Sequence, residues 1–307
     1  MKKLLFTAAV FLFFYVNTYS QNIILPLWND QIPNQKVTKE VEKVVTDKII
    51  KVSNVQKPTI EVYLPKKEIA NGKAVVIFPG GGYGFIAYDW EGINIAKFLN
   101  TKGIAGILVK YRLPNSKSLK VGSNAPLQDA QRAIRLVRSN AKKWNINSDD
   151  VGILGFSAGG HLASTLGTHF NDEIYKAKDK IDSISAKPSF MALVYPVITF
   201  VKEEYVHKGS RNNLLQNLVA SEASKKQFSA ELNITKETPK TFLVHATDDT
   251  AVPVENSLLM YSALKNKGVP VQMHIYESGG HGFALGFKNK KLSNWTNLLV
   301  NWINNLD

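Results

Sequence analysis

Val151-Gly152-Ile153-Leu154-Gly155-Phe156-Ser157-Ala158-Gly159-Gly160 runs from an apolar, strand-like stretch straight into a helix-forming one, Ala158 to Leu166. The five residues Gly155 to Gly159 match G-x-S-x-G, in which a serine sits on a sharp strand-to-helix turn with its hydroxyl presented above a sheet. Such a turn strains the serine backbone. Gly155 and Gly159 fit because side chains there would collide across it. The helix that follows aims its positive end at the serine, where negative charge is favoured. The pattern therefore predicts a nucleophile at Ser157 on an α/β scaffold.

Working outward, short apolar runs alternate with longer helical patterns. The runs are Ala74 to Phe78, Ile104 to Tyr111, Val151 to Leu154, Phe190 to Val197, Thr241 to His245 and Val271 to Tyr276. Several are apolar throughout, as strands covered on both faces should be. Pro58 to Leu64 reads as an antiparallel lead-in strand. Between the runs, Asp89 can cap a helix carrying Ile93, Ala96 and Leu99, with Gly103 beyond its end. Pro126 opens a helix with Leu127, Ala130, Ile134, Val137 and Ala141 on one face. Pro253 opens another, with Val254, Leu258, Tyr261 and Leu264 inward. A last one carries Leu292, Trp295, Leu299 and Trp302. This order predicts a three-layer α/β/α domain with a mainly parallel central sheet. Thr199 to Pro239 breaks the rhythm. It is polar, with helix-like pieces such as Leu214 to Val219, and reads either as a lid or pocket wall or as a surface helix.

A serine that attacks a carbonyl needs donors for the resulting oxyanion. Pro79-Gly80-Gly81-Gly82-Tyr83 follows the strand Ala74 to Phe78 and lets the backbone pass close to a substrate. Gly81 and Gly82 are the candidate donors, with the N–H of Ala158 completing the hole. Gly82, Gly84 and Ala87 also fit G-x-G-x-x-A, a dinucleotide fingerprint. That motif wants an acidic residue at the end of the next strand, where Lys110-Tyr111-Arg112 stands. A phosphate-binding P-loop would need a Gly-Lys-Ser/Thr ending that is missing here.

The fold orders its triad Ser, Asp or Glu, His. Of the six histidines, His274 and His281 fall in the final stretch. His274 lies inside an alternating strand. His281 lies in Glu277-Ser278-Gly279-Gly280-His281-Gly282-Phe283, just after the last strand, and is the candidate base. The acid should follow Thr241 to His245, where Asp248 and Asp249 both stand; one should accept Nδ1–H of the base and the other brace the loop. His161 reads as a locally bonded packing residue and His245 as a residue shaping the acid loop. Asp129 with Arg132, and Arg135 with Arg138, read as helix-surface or helix-to-loop pairs. No metal-ligand pattern appears, and neither metal nor cofactor is expected.

The chain has 307 residues and no cysteine, so its stability must come from a sizeable core. Residues 1–20 read as a cleaved export signal: Lys2 and Lys3, an uncharged apolar run Leu4 to Val16, then Ser20. The run is too short for a stable membrane anchor. The expectation is an exported protein, periplasmic or extracellular, with one catalytic domain over 21–307. The formal charge of +13 is carried largely by scattered lysines with few aromatics interleaved among them. That reads as a solvated basic surface and not a nucleic-acid site.

Together these residues resemble the bacterial acetyl-xylan-esterase-like branch of the α/β hydrolases. The likeness is carried by Phe78-Pro79-Gly80-Gly81-Gly82-Tyr83-Gly84, Lys110-Tyr111-Arg112-Leu113, Pro126-Leu127-Gln128-Asp129-Ala130, Gly155 to Ala163, Val252-Pro253-Val254-Glu255-Asn256-Ser257 and Gly279 to Phe283. It extends from about Leu27 to the end. The resemblance implies Asp249 as the acid, four residues before the proline of the Val-Pro motif. It also implies O-acetyl or feruloyl esters of plant xylan fragments as substrates. Gly209 to Leu215 resembles the family's excursion, which implies a part in the pocket. One departure is Pro79, where lipase-like relatives carry His. A prolyl-oligopeptidase-type peptidase would need a large gating domain for which the chain has no room. A non-catalytic glycan-binding scaffold is opposed by the retained Ser, Asp and His in order.

Overall fold

The computed structural model describes residues 23–29, 31–216, 221–287, 289–292 and 294–306; the candidate export signal lies outside them. An eight-stranded sheet runs in the order β1 (Ile23–Pro26), β4 (Thr59–Tyr63), β7 (Ala105–Lys110), β5 (Ala74–Phe78), β8 (Val151–Phe156), β9 (Phe190–Val194), β10 (Lys240–Ala246), β11 (Val271–Tyr276). β1 and β4 pair antiparallel with their neighbours and the other pairings are parallel. β5, β8 and β9 are buried along their whole length, which is why their sequences are apolar without alternation.

Alternate residues nonetheless separate the two sides. Ala74, Val76 and Phe78 face one core, shared with α2 (Ala125–Ser139), α3 (Ser157–His169) and α6 (Glu255–Asn266). Val75 and Ile77 face the other, shared with α1 (Asn94–Asn100) and α7 (Trp295–Asn304). The result is the three-layer α/β/α architecture, with the turns at the carboxyl ends of β5, β8, β10 and β11 on one edge.

Several details differ from the sequence reading. β9 stops at Val194, and Leu292 precedes α7. Asp89 does not cap a helix with its side chain; its Oδ1 accepts the Ile50 and Trp90 N–H groups, and Asp89–Ile93 winds as a π-type turn into α1. A small second sheet of β2 (Lys43–Thr46), β3 (Ile50–Ser53) and β6 (Ile86–Ala87) was not expected. Asp129 and Arg132 do not pair. Asp129 is fully buried against Arg112 (2.7 Å), and Arg132 is buried against Asp179 and Asp182. Arg135 and Arg138 do reach across to loops, at Ile184 O and Ser185 O. Within Thr199–Pro239, the chain forms α4 (Lys208–Leu215) and α5 (Glu222–Gln227); residues 217–220 of the anticipated Leu214-to-Val219 piece lie outside the described ones.

Candidate active site

β8 and α3 meet at Ser157, whose φ is +51°, in the left-handed region that non-glycine residues rarely occupy. The turn can be this tight because residue 159 is glycine: a Cβ there would collide with the carbonyl oxygen of Phe78. Ser157 is 6 % exposed. Its Oγ lies 2.8 Å from Nε2 of His281, and Nδ1 of His281 lies 2.7 Å from Oδ2 of Asp249. The three side chains thus form a hydrogen-bonded series. The carboxylate can only accept, so Nδ1 carries a proton and Nε2 is free to accept the serine hydroxyl proton. Burial would push the Asp249 carboxyl up. Hydrogen bonds from His245 and His281 outweigh it and hold the group well below the usual carboxylate range.

Each loop is braced by its neighbours. Asp248 Oδ1 accepts the N–H groups of Gly279 (2.8 Å) and Gly280 (2.7 Å), which fixes the start of the histidine loop. Asp249 Oδ1 accepts from Ala251 and Val252 N–H, closing its own turn. His245 is fully buried; Nδ1 accepts from Ser257 Oγ (2.8 Å), and Nε2–H is shared between Val252 O (2.9 Å) and Asp249 Oδ2 (3.2 Å). Asp249 therefore receives two imidazole N–H groups.

A second carboxylate lies beneath the site. Glu91 is buried. Its Oε2 accepts the Gly80 N–H (2.7 Å) and its Oε1 accepts the Tyr195 hydroxyl (2.8 Å). That hydroxyl in turn accepts the Ala284 N–H (3.0 Å), while the Tyr195 ring packs edge-on against His281 at 4.9 Å. Glu91 thus links the glycine loop after β5, the strand end of β9 and the histidine loop. Burial raises its pKa, opposed by the bonds from Tyr195 and Gly80 and by the charge of His281.

With Gly80 N–H bound to Glu91, the loop leaves Gly81 and Gly82 as the candidate donors. Among the described residues neither N–H meets an acceptor. Gly81 has φ +129°, and its Cβ would collide with Phe85 O, so the conformation requires glycine. Gly80 packs against the serine: a Cβ on it would lie 2.9 Å from Ser157 Cβ. Ala158 is in the first turn of α3, where backbone N–H groups have no intrahelical partner.

The excursion forms one wall. Asn213 Nδ2 donates to Gly82 O (2.8 Å), and the His207 ring lies against Gly82. His161 reaches further than its local reading: Nδ1 accepts from Tyr83 O–H (2.8 Å), Nε2–H donates to Phe228 O (2.8 Å), and the ring stacks on Phe200. It holds the glycine loop, α3 and the excursion together. His274 bonds Gln272 on β11, away from the triad's hydrogen-bonded series.

Glu91, Tyr195 and His207 were missed by sequence reasoning. The one available signal was an acidic residue, Glu91, set one helical turn before the apolar Ile95. Among the described residues, no cluster of His, Cys, Asp or Glu could hold a metal ion, and no helix is long and apolar enough to cross a membrane.

Comparison with known proteins finds relatives of this chain. Residues 60–264 match the family model described as BD-FAE. The chain is 35 % identical to an acetylxylan esterase of Xylanibacter ruminicola, over 84 % of this chain and 50 % of that protein. It is 32 % identical to endo-1,4-beta-xylanase B of Butyrivibrio fibrisolvens, over 78 % of this chain and 36 % of that one. The chain thus spans half or less of these curated relatives. A crystal structure of an acetyl ester-xyloside bifunctional hydrolase from Caldicellulosiruptor lactoaceticus superposes with a TM-score of 0.77 at 36 % identity, covering 92 % of this chain and 95 % of that one.

Proposed function

The chain belongs to the BD-FAE family of α/β hydrolases, and on that premise we propose that it is a serine carboxylic-ester hydrolase that removes O-acetyl groups from xylan fragments. The observation that carries this reading is the unbroken series Ser157–His281–Asp249 at the carboxyl edge of the sheet. Ser157 Oγ attacks the ester carbonyl while His281 Nε2 takes its proton. The oxyanion accepts hydrogen bonds from the N–H groups of Gly81, Gly82 and Ala158, and Asp249 stabilises the imidazolium. Collapse breaks the ester bond, and the imidazolium gives its proton to the leaving sugar oxygen. An acetyl-serine remains. Water then attacks it, with His281 again as base, releasing acetate and restoring Ser157.

The acyl and sugar assignments rest on the names of the relatives: an acetylxylan esterase, a xylanase and an acetyl ester-xyloside hydrolase. Feruloyl esters are the second acyl class to assay. Export follows from reading residues 1–20 as a cleaved signal, and a secreted product beginning at Gln21 is the expected result of N-terminal sequencing. The deciding experiment treats acetylated xylo-oligosaccharides with wild type and with Ser157→Ala and follows acetyl loss by mass spectrometry. Wild type should deacetylate and the variant should not; equal rates would remove the mechanism.

A further inference from the structure

An acetyl ester gives an enzyme little to recognise on its acyl side. The methyl has no polar atom, and the carbonyl oxygen is taken by the oxyanion donors. Discrimination among acetyl esters therefore falls to the alcohol, and a xylo-oligosaccharide differs from a simple alkyl or aryl alcohol in its free hydroxyls. A polar group at the rim of the site, fixed in direction and without a protein partner, is where that discrimination would be made.

His207 meets this description. It is the N-cap of α4: its Nδ1 accepts the Ser210 N–H at 3.1 Å and lies 2.7 Å from the Ser210 hydroxyl. With Nδ1 occupied as an acceptor, the neutral ring carries its proton on Nε2. Among the described residues no acceptor takes that N–H. The ring is half-buried, and its Cε1 lies 3.7 Å from where a Cβ on Gly82 would stand, beside the oxyanion loop. α4 is held there by the bond from Asn213 to Gly82 O and by the buried Leu214 and Leu215. Burial and the neighbouring charge of His281 lower the His207 pKa, with Asp249 opposing, so the neutral donor form is favoured.

We propose that His207 is a specificity-determining residue whose Nε2–H donates a hydrogen bond to a hydroxyl or ring oxygen of the sugar bearing the ester. The assignment rests on the acetyl-esterase reading above. It makes the wall formed by the excursion a sugar-reading one.

Two variants separate recognition from helix capping. His207→Asn keeps a good N-cap acceptor but is too short to set a donor where Nε2 stands. His207→Ala loses both. Each is assayed for kcat and KM on acetylated xylobiose and on para-nitrophenyl acetate, with melting temperatures measured alongside. In His207→Asn, kcat/KM for the sugar ester should fall about tenfold relative to that for the aryl ester, mainly through KM, with a melting temperature near wild type. A ratio within about twofold of wild type would overturn the assignment. So would an Asn variant that behaves as wild type while the Ala variant loses both activities equally, because His207 would then only cap α4. Wild-type protein inactive on both esters would instead overturn the esterase reading, and this assignment with it.

Discussion

Ser157 occupies a backbone conformation that costs a non-glycine residue on the order of 1–3 kcal/mol. What it gains is a hydroxyl within 2.8 Å of His281. Ser157→Ala keeps the backbone and removes the proposed nucleophile, so kcat should fall by a factor on the order of 10⁵ while the urea midpoint does not drop. A variant retaining more than about one part in a hundred of the activity would show that another group attacks. His161 yields a prediction with a definite sign. In the unfolded chain its imidazole takes a proton near the ordinary value of about 6.5, whereas burial lowers it to about 4 in the fold. Between those values the unfolded chain holds the extra proton. Stability is therefore intact above the window and falls as pH drops through it, by about 3 kcal/mol in all. Urea unfolding of wild type and His161→Gln at about pH 7.5 and 4.5 checks this: the wild type should lose more on acidification. An unchanged difference between the two proteins would count against it. At this scale the sequence was informative where chemistry forces a local pattern. Ser157 and His281 each sit among glycines that a motif requires. Asp248 and Asp249 stand side by side in one turn, and no local rule distinguishes the carboxylate that bonds Gly279 and Gly280 from the one that bonds His281.

Between elements, the site depends on how the glycine loop is seated. Glu91 bonds Gly80 on one side and Tyr195 on the other, and Tyr195 is 104 residues away in the chain. Glu91→Ala would leave the Gly80 N–H and the Tyr195 hydroxyl buried without that acceptor. The glycine loop after β5 and the histidine loop should then both loosen. The expected outcome is a fall in kcat of about 10- to 100-fold, with KM changed less, because the lost geometry matters most in the transition state. If kcat/KM fell only through KM, the loop would be serving ground-state binding instead. This contact was invisible beforehand because it joins a π-type turn to a strand end, and no periodicity relates them. The central strands of the large sheet were readable from the sequence, since strands covered on both faces must be apolar throughout, whereas the half-exposed edge strand β1 was not expected. The small sheet was not. β2 is exposed along its whole length and β6 has two residues, so neither carries a burial pattern.

For the molecule as a whole, no disulfide is available, and buried polar pairs must be satisfied within the core. One such network joins three distant segments. Asp129 on α2 accepts from the Arg112 guanidinium (2.7 Å), from the Arg112 backbone N–H (2.8 Å) and from the Trp28 indole (2.8 Å). Arg112 also donates to Pro33 O at 2.5 Å. Both charges are within 1 % of full burial. Replacing both by apolar residues is often close to neutral, but removing one leaves an uncompensated buried charge that costs about 3–5 kcal/mol. Asp129→Ala should therefore lower the melting temperature by about 10 °C, at roughly 2–4 °C per kcal/mol for a domain of this size. Arg112→Met with Asp129→Leu should recover only part of the loss, since the Trp28 indole and the Arg112 backbone N–H would still lack their acceptor. Calorimetry on the single and double variants decides it. A shift under about 2 °C for Asp129→Ala would mean that the segment around Leu27 and Trp28 is held by its apolar packing and its backbone bonds to Arg132 and Pro58 without help from this carboxylate. A double variant fully as stable as wild type would mean that the indole and backbone donors find other partners when the carboxylate is gone.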